Sequence, residues 1–271
     1  MKTRVISSIF IGITLLVVLV LGGPVLATVS LIISLIGYGE LTKALGIHEN
    51  DVKCNPIEAA GYIGVVIHYV LIYVKKDVNC YIVSILFVFF AIMIIYVLTF
   101  PRFKASQAIG GVFAFIYAPI MLSCIYMLRI EEFGAFIAWV PFVAWISDSF
   151  AYLVGRACGK HKLCPKLSPN KTIEGSIGGV IGSLIAGAIF GFTLYSNSLK
   201  NANVIWICML ITFVASIISQ FGDLAASGIK RDHNIKDYGH LIPGHGGIMD
   251  RFDSVIFVAP MVYFLSVMLL R

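Results

Sequence analysis

CYIVSILFVFFAIMIIYVLT, residues 80 to 99, contains no charged side chain. A membrane-spanning helix needs about 20 mostly apolar residues, and this run supplies them without interruption. The rest of the chain has the same character. Of its 271 residues, 59% are hydrophobic and 13% are charged, with a mean hydropathy of +0.94. A soluble domain carries about 25% charged residues, so that class is excluded. Nine stretches meet the length criterion, roughly 5–22, 24–45, 57–74, 80–99, 106–128, 134–155, 174–195, 203–229 and 252–270. The expected fold is all-α, a polytopic integral membrane protein with about nine transmembrane helices. Lys2 and Arg4 ahead of the first stretch imitate a signal peptide. No cleavage site follows, and a second apolar stretch opens at Pro24, so the first helix is expected to be retained.

Nine spans place the N-terminus on the same side as the connections after helices 2, 4, 6 and 8. Fifteen of the 20 Lys and Arg residues fall on that side. The other side holds Lys75, Lys76, Arg129, Lys200 and Arg271. Positive charge concentrates on the cytoplasmic side of membrane proteins, so the cation-rich face is read as cytoplasmic, in the cell (plasma or inner) membrane. The net charge of +6 then reflects topology and anionic lipid headgroups, and no nucleic-acid partner is expected. Six cysteines are scattered along the chain. Cys158, His161 and Cys164 have zinc-like spacing, but no fourth ligand stands at a compatible distance, so they read as small apolar side chains.

The chain changes character near residue 130. Residues 1–130 read as about five hydrophobic N-terminal helices, with Glu40 the one acid of note. It lies about a turn from a helix end, where a snorkelling or paired carboxylate and a functional one are equally open. Residues 131–271 read as a catalytic transmembrane region with cytoplasmic loops 156–173 and 230–251. Asp148 lies eight residues before Arg156, about 12 Å below the cytoplasmic helix end at 1.5 Å per residue, and Asp223 lies about 10 Å below Lys230. An ionisable group in a span costs about 2.5–3.5 kcal/mol, which favours a functional reading over a buried structural pair. Five cations occupy the first loop and four the second. Gly175, Gly179, Ser183, Gly187 and Gly191 recur every fourth residue, a small-residue face that lets helix backbones approach closely.

The second loop ends in PGHGGIMDRFD, residues 243 to 253. Asp250 and Asp253 are spaced i and i+3, so both project from one face at a helix start. Acids in a first turn also complement the helix dipole, which accounts for one such residue but not for the glycines beside it. Magnesium is held by one or two carboxylates with phosphates and retained waters. Asp223, Asp250 and Asp253 could supply such a site, with Asp148 as a further candidate. Gly244, Gly246 and Gly247 permit main-chain N–H groups to face a phosphate. Lys171, Lys230, Arg231, Lys236 and Arg251 would neutralise phosphate charge. No Walker A motif is present. The residues point to a metal-dependent phosphoryl or nucleotidyl transfer at a membrane surface.

SGIKRDHNIKDYGHLIPGHGGIMDRFD, Ser227 to Asp253, resembles the signature of the phosphatidate cytidylyltransferases, also called CDP-diacylglycerol synthases. The fixed positions are met by Ser227, Lys230, Arg231, Lys236, Asp237, Gly239, Pro243, His245, Gly246, Gly247, Asp250, Arg251 and Asp253. SPNKTIEG, Ser168 to Gly175, is similar to a second block of that family, and Asp148 and Asp223 match two of its acidic positions. The resemblance implies transfer of CMP from CTP to phosphatidic acid in a membrane of lipids, giving CDP-diacylglycerol and pyrophosphate. It implies Mg2+ on Asp223, Asp250 and Asp253, with a second cation left open. It implies catalytic roles for Asp148, Lys171, Lys230, Arg231, Lys236, Asp237, His245 and Arg251. Substrate contacts would come from Ser168, Thr172, Glu174, Ser227, Gly246 and Gly247. Ala226 stands where the family commonly has glutamate, and Tyr238 where it has a small polar residue. Pairing into a homodimer is left open. Two other readings stay open too: a lipid-phosphate transferase or kinase using another lipid or nucleotide, and a transporter of a phosphorylated solute. The transporter would usually show internal repeats and interrupted helices, and the sequence shows neither.

Overall fold

The computed structural model describes residues 2–49, 53–132, 134, 138–195, 203–241 and 246–270. The long helices are α1 (Lys2–Leu21), α2 (Gly23–Ala44), α3 (Pro56–Lys75), α4 (Asn79–Leu98) and α5 (Ala105–Ile130). They continue as α6 (Val143–Cys158), α7 (Ile173–Leu194), α8 (Asn203–Asp232) and α9 (Met249–Leu270). Among the described residues, α2, α3, α4, α5, α7, α8 and α9 are long and apolar enough to cross a membrane. The chain is therefore an all-α, multi-pass membrane protein, with seven helices rather than nine meeting that criterion. The described apolar part of α1 is Gly12–Leu21, and α6 has only 16 residues.

Local chemistry explains several of these boundaries. Asn55 caps α3 in a capping box: its side chain accepts the Glu58 N–H at 2.9 Å, and the Glu58 carboxylate accepts the Asn55 N–H at 3.1 Å. Pro56 then fills the first helical position, where no N–H is required. Inside α5 the turn Ile116–Ile120 widens to π-helix around Pro119, which has no N–H to donate. A span over 134–155 was expected, but α6 begins at Val143, after a 3-10 turn containing Pro141. A proline inside a helix forfeits one hydrogen bond and crowds the preceding turn, which disfavours α-helix through residue 141, and α6 starts two residues later. α8 runs on through Lys230 and Arg231, whose positive charges suit a helix C-terminus.

The described chain divides into two compact units, Met1–Met127 with Asp232–Arg251, and Leu128–Arg231 with Phe252–Arg271. The first unit is built on Tyr38, Leu41, Ile57, Val65, Ile72, Val88, Ile92 and Phe115, all withdrawn from the surface. Glycine lets the helices close: a Cβ at Gly64 would overlap Val88, and one at Gly61 would overlap Tyr38. Polar side chains in this unit are paired across helices. His68 of α3 meets Ser84 of α4 at 3.0 Å and Ser123 of α5 at 2.9 Å.

In the second unit, the small-residue face of α7 serves two neighbours. A Cβ at Gly175 would stand 2.6 Å from the Ala151 carbonyl, and Gly178, Gly179 and Gly182 press on Val154, Ser147 and Phe150 of α6. Further along, Gly187 and Gly191 press on Thr212, Cys208 and Ile205 of α8. Ile177, Ile181, Ile185 and Ile189, also every fourth residue, are exposed. One face of α7 thus binds helices while another presents branched aliphatic side chains to lipid.

Candidate active site

The site in the second unit starts from a short hairpin. Strand β1 (Lys162–Cys164) pairs antiparallel with β2 (Ser168–Thr172), with Lys162 opposite Thr172 and Cys164 opposite Ser168. Thr172 then caps α7, its hydroxyl accepting the Gly175 N–H at 3.1 Å. Glu174, in the first helical turn, accepts the N–H groups of Lys160 and His161 at 3.1 and 3.2 Å, and pairs with His161 Nδ1 at 2.7 Å. Thr172 and Glu174, expected at the substrate, are used here to fold the hairpin against the helix start. Between them and Ser168, Lys171 reaches across to form an ion pair with Asp223 of α8.

Around that pair the acids gather. α8 and α9 approach closely at Gly222, where a Cβ would stand 3.0 Å from the Asp253 carbonyl. This brings Asp223 and Asp253 into electrostatic reach of one another, with Asp148 of α6 and Lys230 also within reach of Asp253. Asp148 in turn lies within reach of Asp223 and Lys171. Ser254 joins the set: its hydroxyl donates to Asp148 Oδ2 at 3.2 Å and lies 3.4 Å from Asp253 Oδ1. Its N–H donates to Asp253 Oδ1 at 2.8 Å. Nothing in the sequence singled out Ser254, and a lone hydroxyl after the last signature acid was the only available signal. Gln220, one turn before Asp223, bonds the Ser176 hydroxyl and donates to the Ser176 carbonyl at 3.3 Å, tying α8 to α7. Ser147 and Ser216 tie α6 to α8 at 2.9 Å.

The first unit contains the rest of the signature. Gly246 takes a positive φ of 81° where the chain turns into α9. Asp250, 8% exposed, accepts the N–H groups of Tyr238 and Gly247 on one oxygen, at 2.8 and 3.0 Å. Glu40 of α2 accepts the next two, Ile248 N–H at 3.0 Å and Met249 N–H at 2.8 Å. The Gly247 N–H, expected to face a phosphate, is engaged here by Asp250. In this structure the amides of 247 to 249 point at two carboxylates of the protein. Lys236 and Asp237 are exposed in the same connection and Arg251 is half-buried, whereas Ser227 is half-buried on α8 and Arg231 exposed at its end. Pro243, Gly244 and His245 lie outside the described residues. Ala226, the departure from the family pattern, is fully buried.

Among the described residues, no group of three His, Cys, Asp or Glu side chains is placed to hold a metal ion. The donors that do gather in the second unit are carboxylates, the hard oxygen ligands magnesium prefers. Magnesium is ordinarily held by one or two such groups, with substrate phosphates and water completing its shell. The residues fit it on those terms. Cys158 and Cys164 are free cysteines, and His161 is paired with Glu174.

Comparison with known proteins agrees with this chemistry over the whole length. The Cytidylyltransferase family matches residues 2–269. A phosphatidate cytidylyltransferase of Staphylococcus haemolyticus is 34% identical over 272 residues, covering 98% of this chain and 99% of that protein. One from Staphylococcus aureus is 35% identical over 277 residues, with the same coverage of both chains. A match over residues 2–269, which include Asp148, Asp223 and the signature, leaves one assignment: the chain belongs to the cytidylyltransferase family.

Proposed function

We propose that this chain is a phosphatidate cytidylyltransferase, transferring CMP from CTP to phosphatidic acid to give CDP-diacylglycerol and pyrophosphate. The carrying observation is the cluster of Asp148, Asp223 and Asp253, with Lys171 paired to Asp223, in a chain whose relatives bear that name. The nucleophile needs little help. A phosphate monoester has a second pKa of about 6, so the lipid phosphate is largely a dianion near neutral pH. One of its oxygens attacks the α-phosphorus of CTP, a new P–O bond forms, and the bond to the β-phosphate breaks to release pyrophosphate. No protein base is required.

What the reaction needs is charge management. Asp223 and Asp253 would hold Mg2+, which when bound screens the triphosphate and lipid phosphate from each other and draws electrons from the α-phosphorus. Lys171, on strand β2 and paired with Asp223, would meet a phosphate and limit repulsion from the acids. Lys230 and Arg231 at the end of α8 would take the departing pyrophosphate, the arginine through its two-pronged guanidinium. Asp148 accepts the Ser254 hydroxyl, helps orient it, and adds negative charge within reach of Asp223. The signature implies catalytic roles for Lys236, Asp237, His245 and Arg251 as well, with Lys236 and Arg251 neutralising phosphate charge. Soluble CTP and the 15-to-5 cation asymmetry favour a cytoplasmic face in the cell membrane.

Purified protein supplied with labelled CTP, phosphatidate and magnesium is expected to form a lipid-soluble cytidine product, and EDTA is expected to stop it. Equal use of ATP or GTP would remove the cytidylyl assignment, and turnover undiminished by EDTA would remove the metal.

A further inference from the structure

We propose that Glu40, on α2 and far from the signature in sequence, is a positioning residue for the transfer reaction, holding the glycine segment of the signature and the start of α9 in their working geometry. The proposal rests on the transferase reading above.

Two observations carry it. The first is the pair of hydrogen bonds that cross 208 and 209 residues of sequence: both Glu40 oxygens are used, one on the Ile248 N–H and one on the Met249 N–H. The second is that the surrounding chain is shaped for this carboxylate. A Cβ added at Gly239 or at Gly247 would overlap the Glu40 carboxyl group, so two signature glycines are small where this side chain needs room. Asp250 works beside it, accepting the Tyr238 and Gly247 N–H groups. Together the two acids accept four main-chain N–H groups between residues 238 and 249, and fix the turn at both ends.

Simple capping of α9 does not require this arrangement. A helix start is satisfied by a local serine, threonine or aspartate, and Asp250 is already present. A second acid placed in a membrane helix is expensive, and it sits close enough to Asp250 for like-charge repulsion. The cost is explained when the geometry of the segment matters: Gly246 and Gly247 are flexible, and Asp253 follows one turn along the same helix. A carboxylate from a buried, well-packed helix gives the segment a rigid reference that local capping does not.

Full-length protein in lipid–detergent micelles provides the test, with CTP kinetics and thermal unfolding measured in parallel for Glu40→Ala, Glu40→Gln, Gly239→Ala and the Glu40→Ala/Gly239→Ala double variant. Glu40→Ala is expected to lower kcat/KM for CTP by about 10- to 100-fold, the range seen when partners that orient metal ligands are lost. Glu40→Gln keeps the shape but sets an NH2 against one main-chain N–H, so about a tenfold loss is expected in a chain that still folds. Gly239→Ala is expected to be damaging with Glu40 present and at least tenfold less so once Glu40 is truncated, because the methyl then has space. A purely structural carboxylate would lower the unfolding temperature and leave kinetics per folded molecule unchanged. That result, or equal costs of Gly239→Ala in the two backgrounds, overturns the proposal. Absence of cytidylyl transfer by the wild-type protein would instead remove the reaction itself, and this role with it.

Discussion

Single side chains in the second unit differ in what already holds them. Asp223 is paired with Lys171, Asp148 takes the Ser254 hydroxyl, and Asp253 is met by the N–H of its neighbour. Asparagine at 223 or 253 keeps the shape but removes a full negative charge where magnesium is proposed. Turnover is expected to fall by about 100-fold or more for either, beyond what loss of an outer partner causes. Asp148→Asn retains the acceptor for Ser254 and is expected to cost less, with part of the loss recovered at higher magnesium. Asp232 is the control: its side chain is 85% exposed, and Asp232→Asn is expected to leave turnover intact. Near-normal rates in both Asp223→Asn and Asp253→Asn, measured across a magnesium series, would end the metal assignment. Asp223 was legible in the sequence because a carboxylate within an apolar run is expensive, and Asp253 because it stands three residues after Asp250 at a helix start. Ser254, the partner of Asp148 and Asp253, was not, since a hydroxyl costs little there and its role depends on what folds next to it. Asp250 was legible as important but not for its contacts, because no spacing rule reveals that Tyr238 and Gly247 aim their N–H groups at it.

At the level of elements, the hairpin and the crossing of α6 with α7 place Lys171. Thr172→Ala removes the cap of α7 and is expected to destabilise the protein by about 1 kcal/mol, read as a lower unfolding temperature. It is also expected to raise KM for CTP, because Lys171 is the residue immediately before it. Gly175→Ala puts a methyl against the Ala151 carbonyl, where main chain must shift, and overpacking of this kind costs about 1–3 kcal/mol. Gly12→Ala, with nothing within 4 Å of the added carbon, is expected to be silent. A stable Gly175→Ala protein with wild-type kinetics would show that close packing of α6 on α7 is dispensable. The fourfold glycine spacing announced a packing face before any coordinates were known. It did not announce that the face is shared, because which part of α7 meets α6 and which meets α8 depends on where each partner helix begins, and Pro141 delays α6.

For the whole molecule, the cation asymmetry predicts an orientation. In a chain whose six native cysteines are replaced, a cysteine at Asp232 is expected to react with an impermeant thiol reagent only from the cytoplasmic side, and one at Lys76 only from outside. The reverse pattern would overturn the orientation, and labelling of both from one side would overturn the helix count between them. By itself the sequence determined that the chain is helical and embedded in membrane. Hydrocarbon thickness imposes a length and a polarity that any 20-residue stretch either meets or fails. It also pointed to the reaction class, because acids within the spans, with cations and glycines in the connections beside them, suit a metal-dependent transfer of a phosphate-bearing group. Tertiary structure alone decided which groups share a neighbourhood. Glu40 meets residues 248 and 249, Lys171 selects Asp223, and Asp250 is turned to the main chain. These contacts cross from 12 to 209 residues, and they depend on side-chain volume, glycine gaps and helix starts acting together, which no local pattern encodes.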